Sequence, residues 1–103
     1  MRRATVHLMG APAGVLEERE PGRFVFRYRD AYDGPPVSLT MPVARQEHSF
    51  NRFPPFFEGL LPEGEMLEGL LRQRKLDRDD MFAQLMAVGE EVVGAVTVVE
   101  DTA

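Results

Sequence analysis

Between Ala4 and Met9 the chain alternates, with Val6 and Leu8 on one side and Thr5 and His7 on the other. A period of two sends successive side chains to opposite faces of an extended backbone, so this stretch reads as a half-buried strand. Gly10-Ala11-Pro12-Ala13-Gly14 is turn material, and Val15–Glu17 returns as the second strand of a hairpin. Glu18–Gly22 is a polar turn. Arg23–Arg29 then alternates more cleanly than any other segment: Phe24, Phe26 and Tyr28 face one way, Arg23, Val25, Arg27 and Arg29 the other. Asp33-Gly34-Pro35-Pro36 favours a turn for the backbone reasons proper to each residue. Val37–Met41 predicts one more short strand, which Pro42 ends or places at an edge because it has no N–H to donate. Val43–Asn51 shows no convincing period and reads as a loop.

From Phe53 onward the period lengthens. Pro54 and Pro55 suit the first turn of a helix, where a missing N–H costs nothing. Phe56, Phe57, Leu60 and Leu61 share one face of that helix, and Pro62 stops or kinks it. A second helix follows, with Glu63 and Glu65 in its first turn, where the macrodipole favours negative charge, and Met66, Leu67, Leu70 and Leu71 on its buried side. Asp77 is the expected N-cap of a third helix, with Asp79 and Asp80 in its first turn and Leu76 stapled against Met81. Met81, Phe82, Leu85, Met86 and Val88 form that helix's apolar side, and Gly89 is placed as its C′ residue. Val92–Val99 is apolar on both faces, as an interior strand would be. The layout predicts one α+β domain over residues 1–103: a small, mainly antiparallel sheet of about four or five strands plus a closing C-terminal strand, with three helices packed against it.

Composition narrows the function more than it names one. The chain has 103 residues, an ordinary apolar fraction of 44%, and a net charge of −5, which argues against nucleic acid as the main partner. No run approaches the roughly 18 apolar residues of a membrane span, and the N-terminus lacks the apolar region of a signal peptide. With no cysteine, disulfides and thiolate chemistry are excluded, which is compatible with a cytoplasmic location. His7, on the exposed face of the first strand, and His48, in a loop, have no zinc-ligand spacing. Ser38 and Ser49 lack a nucleophile elbow. The segment GAPAG lacks the remaining glycines and the lysine of a phosphate loop. Glu58, Glu63, Glu65 and Glu68 are accounted for by a helix start and an exposed helix face, although Glu63 and Glu65 with a metal form one rival reading. The arginines of Arg23–Arg29 lie opposite the aromatic row, whereas an RNA-binding sheet needs both on one face. No catalytic residue, metal site or cofactor emerges.

What remains is aromatic bulk. Phe56 and Phe57 belong to the core, while Phe50 and Phe53, in the proline-flanked approach to the first helix, are open to either a core or an exposed position, and exposure is the reading that gives them a function. Exposed aromatics on a rigid segment are typical anchors for protein partners.

In this order VHLMG, RFVFRY, PVSLTMP, FFEGLLPEGE, LDRDDMFAQL and GAVTVV resemble the N-terminal subdomain of the HipA family of bacterial serine/threonine kinases over residues 4–99, with FFEGLLPEG the most specific piece. The chain stops at Ala103, where the family's kinase core would begin, and contains no glycine-rich ATP loop, catalytic-loop aspartate or magnesium-binding aspartate. A free-standing copy of this subdomain resembles the HipS component of tripartite HipBST modules. The resemblance implies a non-enzymatic, cytoplasmic antitoxin. It would neutralise a HipT/HipA-like serine/threonine kinase by protein contact, in a larger complex with a HipB-like helix-turn-helix protein and without direct contact to nucleic acid. HipS-like proteins carry an aromatic, often tryptophan, near the kinase; this sequence has no tryptophan, so a phenylalanine would have to stand in. The expected kinase-facing residues are Phe50, Phe53, Glu58, Leu61, Pro62, Glu63 and Gly64. The alternative is an excised assembly or regulatory subdomain of a full-length HipA-like kinase, without inhibitory activity of its own.

Overall fold

The computed structural model describes residues 1–91 and 94–101. Five antiparallel strands, β1 (Arg2–Leu8), β2 (Ala11–Glu20), β3 (Arg23–Tyr28), β4 (Glu47–Phe50) and β5 (Val96–Glu100), form one sheet in the order β4-β3-β2-β1-β5. Helices α1 (Pro55–Glu58), α2 (Gly64–Arg74) and α3 (Met81–Val88) lie between β4 and β5 in the chain. The α+β architecture agrees with the sequence pattern.

Several elements differ from the pattern in detail. The first turn is only Met9-Gly10, both with positive φ (52° and 84°), as a tight hairpin requires. The stretch Gly10–Gly14 is therefore mostly strand: β2 begins at Ala11 and runs for 10 residues. Val37–Met41 forms no strand and contributes only an isolated Ser38↔Met41 bridge, yet Val37 and Met41 are buried. The supposed loop Val43–Asn51 contains β4, which pairs with β3 from Arg27↔Glu47 to Phe24↔Phe50. Its His48 faces inward, so a polar residue fills the slot an apolar one would have marked. The final strand was expected in the interior, but β5 is an edge strand pairing with β1; Val92 and Val93 lie outside the described residues.

The helices also shift. Pro54 is the N-cap of α1 rather than its first residue, and α1 has only 4 residues. Tight turns then carry the chain on, with Leu60 N–H donating to the Phe57 carbonyl and Leu61 N–H to that of Glu58, both at 3.1 Å. Pro62 has no N–H with which to continue. The cap of α3 is Asp80, whose side chain accepts the Ala83 N–H at 3.1 Å, while Asp77 closes a local turn by accepting the Asp79 N–H. Gly89 ends α3 with an ordinary φ of −59°, so it does not serve a left-handed cap. Its role is closeness: its carbonyl accepts the Val98 N–H of β5 at 2.9 Å, and an added Cβ would collide with the Val98 backbone.

One sheet face holds the core. Ala4, Val6, Leu16, Phe24, Phe26, Tyr28, Val96 and Val98 meet Phe57, Phe82 and Leu85 from the helices. Phe26 contacts Tyr28 edge-to-face at 4.8 Å and Phe57 at 5.8 Å. On the opposite face Arg3 and Arg19 pair with Glu17, Arg19 also with Glu47, and Arg27 with Asp30. The aromatic row is thus inside and the basic row outside, as the alternation required.

A second ionic group ties the helices to the sheet. Arg2 donates to Glu18 at 2.8 Å and to both oxygens of Asp80 at 2.9 Å, with its guanidinium 4.9 Å from the Phe82 ring centre. The hydrogen bond to Glu18, and after it the one to Asp80, raises the Arg2 pKa. Partial burial opposes ionisation of Asp80, but the Arg2 and Ala83 hydrogen bonds outweigh it and hold that carboxyl below its ordinary pKa.

Candidate functional site

Helix α2 is apolar along one side, yet none of its residues is buried. Met66 is 76% exposed, and Leu67, Leu70 and Leu71 are only half-buried. The sequence pattern alone places these four on a buried side. The physical reason for the difference lies in where the helix is placed: it reaches the rest of the molecule through α3 rather than the sheet. Its described ion pair to another segment is Glu68–Arg78, at 2.6 Å on the surface. Glu63 caps the N-terminus by position without a side-chain hydrogen bond, and Gly64 begins the helix at φ 60°, a value that favours glycine. Arg72 and Arg74 occupy the last turn, so the acidic start and basic end both follow the macrodipole.

The spacing of α2 separates two faces. Leu67 and Leu71 share one row. Met66, Gly69, Leu70 and Gln73 share another, and this second row forms one wall of an open groove of about 620 Å³. Leu60, Leu61 and Pro62 form the facing wall, and Val88 closes the end near the last turn of α3. Gly69 removes a side chain from the middle of the row, which deepens the groove between Met66 and Leu70. Glu58, Glu63 and Glu65 are exposed on the same corner and make no ion pair among the described residues, while Glu91 lies on the groove's rim. The site is an apolar trough with acidic surroundings. Such a surface can bind an apolar side chain flanked by cations; among its described lining residues there is no serine, threonine, lysine or histidine.

Of the residues expected to face a partner, Leu61 and Pro62 line this groove, and Glu63 and Gly64 follow them directly in exposed positions. Glu58 is exposed at the end of α1. The two phenylalanines do not join them. Phe53 is 7% exposed and packs edge-to-face on Phe24 at 5.2 Å, while Phe50 is half-buried in β4 opposite Phe24. The expectation of exposure is therefore corrected for Phe53: the proline-flanked approach turns inward over the aromatic row. Leu60, Met66 and Leu70 are lining residues that sequence reasoning put elsewhere. A glycine in the middle of an apolar helical stripe was the available sign, since it costs about 1 kcal/mol in a helix and contributes nothing to a core.

The histidines take structural positions. His48 is buried with Nε2 3.0 Å from the Pro42 carbonyl oxygen, and the half-buried His7 keeps Nδ1 away from solvent without a hydrogen-bond partner among the described residues. Among the described residues no three His, Asp or Glu side chains converge as metal ligands would.

Comparison with known proteins gives this geometry a context. The family model of the HipA N-terminal domain matches residues 4–99. A protein of Haemophilus influenzae, itself described as uncharacterized, is 34% identical over 101 residues, covering 98% of this chain and 94% of that protein. A Sinorhizobium fredii protein, provisionally named kinase Y4dM, is 32% identical over 103 residues, covering 90% of this chain but 25% of the relative. The present chain thus spans about a quarter of that kinase-named protein. Among solved structures, the N-terminal domain of HipA toxin superposes with a TM-score of 0.78 at 29% identity, covering 98% of this chain and 93% of the other.

Proposed function

The chain belongs to the HipA N-terminal domain family, and from that premise we propose that it is a HipS-like antitoxin that binds a HipA-type serine/threonine kinase and holds it inactive. The matched domain is the HipA N-terminal subdomain and not the kinase catalytic domain. In this reading it acts on the kinase by contact alone, in the cytoplasm, within a larger complex that includes a HipB-like DNA-binding protein.

The observation that carries the reading is the uncovered side of α2. A helix with Met66, Leu67, Leu70 and Leu71 and no buried residue leaves apolar area that a partner can remove from water, worth roughly 25 cal/mol per Å². The groove accepts an apolar side chain of the kinase between Leu61, Pro62 and Met66. Glu58, Glu63 and Glu65 meet a kinase surface that is basic because it handles nucleotide phosphates. Charges around an apolar centre steer encounter and exclude wrong partners, while the centre supplies most of the affinity. Since Phe53 is in the core, the anchoring role expected of a phenylalanine passes to Met66 and Leu61. A domain covering a quarter of a kinase-named relative supports an interface that works within one chain. The same contact made between two chains loses the benefit of tethering, and the exposed groove offers affinity to replace it.

The test is Met66→Asp. Because Met66 is already exposed, its melting temperature should match the parent's, while affinity for the HipT-like kinase falls at least about tenfold, equivalent to about 1.4 kcal/mol, and rescue of growth on co-expression is lost. Unchanged affinity would remove the groove from the interface. Tight binding by the parent chain with no loss of kinase activity would favour an assembly subdomain, which the Sinorhizobium relationship makes the second reading.

A further inference from the structure

The two glycines of α2 differ in what the fold asks of them. Gly64 starts the helix at φ 60°. Gly69 sits in mid-helix, where glycine costs about 1 kcal/mol relative to alanine, and a Cβ added there would meet no neighbouring segment within 4 Å among the described residues. It belongs to the row Met66, Gly69, Leu70 and Gln73 that borders the groove. Since the described fold does not need the missing side chain, the close backbone approach that it permits is one from outside the chain.

The flanks of this row are charged in a self-complementary way. Glu65 and Arg72 stand two turns apart on one flank, and Glu63 and Arg74 three turns apart on the other. All four are exposed and form no ion pair among the described residues. The macrodipole accounts for an acidic start and a basic end, but not for a base placed whole turns beyond each acid on the acid's own flank.

We infer that, away from the kinase, α2 of a second copy lies antiparallel across this row, so that self-association and kinase binding exclude each other. A pair related by a two-fold axis presents the same surface to itself. With the axis near Gly69 and Leu70, Leu70 of each copy fills the space above Gly69 of the other, and Met66 meets Gln73. Reversal brings Glu65 beside Arg72 of the other copy on one flank, and Glu63 beside its Arg74 on the other. A parallel pair would set acid on acid and base on base. A basic partner surface answers the glutamates alone, whereas a second copy answers all four charges. The helix has 11 residues, a length of about 16 Å, so the contact is at the small end of protein interfaces and reversible. It keeps the apolar row from water until the kinase displaces it. That exclusion rests on the kinase reading above; the helix pair does not.

Sedimentation equilibrium of the whole chain from about 10 μM to about 1 mM, alone and with purified HipT-like kinase, tests both parts. The parent should dimerise reversibly. Glu65→Arg and Arg72→Glu should each weaken the dimer at least about fivefold, because attractive pairs become repulsive, and the double variant should recover to within about twofold of the parent. The double swap sets both charges against the macrodipole, so a helix that had merely frayed would be worse in the double variant than in either single one. Gly69→Ala should raise the melting temperature while weakening the dimer. Added kinase should replace dimers by complexes holding one copy each. A parent that stays monomeric throughout overturns the helix pair and leaves the kinase reading standing. A dimer untouched by the single swaps, or not restored by the double one, overturns the antiparallel contact. Kinase bound to the intact dimer overturns the exclusion. A parent that dimerises yet binds no kinase overturns the kinase reading, and the exclusion with it, while the helix pair stands.

Discussion

Replacing Phe53 by alanine separates a surface anchor from a core residue. Phe53 is 7% exposed, makes an edge-to-face contact with Phe24 at 5.2 Å, and Phe24 in turn stacks on Phe82 at 6.4 Å. Truncating a buried phenylalanine costs about 3–5 kcal/mol, from lost transfer energy and the cavity left behind. The aromatic pair alone accounts for about 0.5–1.5 kcal/mol of that. Phe53 lines an open cleft together with Arg52 and Met81, so water can enter and the neighbours can relax, which places the expected loss near the lower end, about 3 kcal/mol. A domain of this length has only about 5–15 kcal/mol in total, and at about 4–8 °C per kcal/mol the melting temperature should fall by about 12 °C or more. The assay is urea denaturation followed by circular dichroism, with thermal melting alongside; the midpoint should drop without a change in slope. A variant that melts within about 3 °C of the parent yet binds the kinase more weakly would refute the core assignment and restore Phe53 to the surface.

Tyr28→Phe removes the hydroxyl that serves the Val37 N–H and the Met41 carbonyl, leaving two buried groups unpaired; the expected cost is about 1–3 kcal/mol, read by urea denaturation, with faster proteolytic cleavage between residues 35 and 42. Asp80→Asn probes acid stability. Because the folded-state pKa of Asp80 lies below its ordinary value, its carboxylate contributes stability above about pH 4, lost as pH falls through the lower folded value. Melting temperature measured from about pH 6 to about pH 2 should therefore fall less steeply for the variant than for the parent, and superimposable acid limbs would discount the Arg2–Asp80 contact.

Much of the fold was legible because its signals are local. Alternation in Arg23–Arg29 separates aromatics from arginines whatever the strand pairs with, and β3 has that arrangement. The helical spacing around Leu85 and the apolar run ending at Val99 are equally self-contained. β4 escaped because it has 4 residues and its inward positions are His48 and Phe50, so half of its buried pair reads as polar. Gly89 was recognised as the residue after α3, but for the wrong cause: the left-handed cap is a property of its own backbone, whereas the approach to Val98 belongs to a strand that the sequence does not place beside it.

The candidate site divides in the same way. Leu61, Pro62, Glu63 and Gly64 stand out because a proline corner with first-turn acids is visible in one dimension. Phe53 departs from the pattern because exposure is decided by what lies opposite, and Phe24, on which it packs, is far away in sequence. By itself the sequence determined the α+β class, the sidedness of β1, β3 and α3, and the presence of an apolar stripe on α2. Only the tertiary structure decided that β5 pairs with β1 at an edge, that Phe53 closes over Phe24, and that the Met66–Leu70 row faces open water. Periodicity records which side chains share a face, because it is written into consecutive residues. What covers that face depends on contacts between distant segments, and those exist only once the chain has folded.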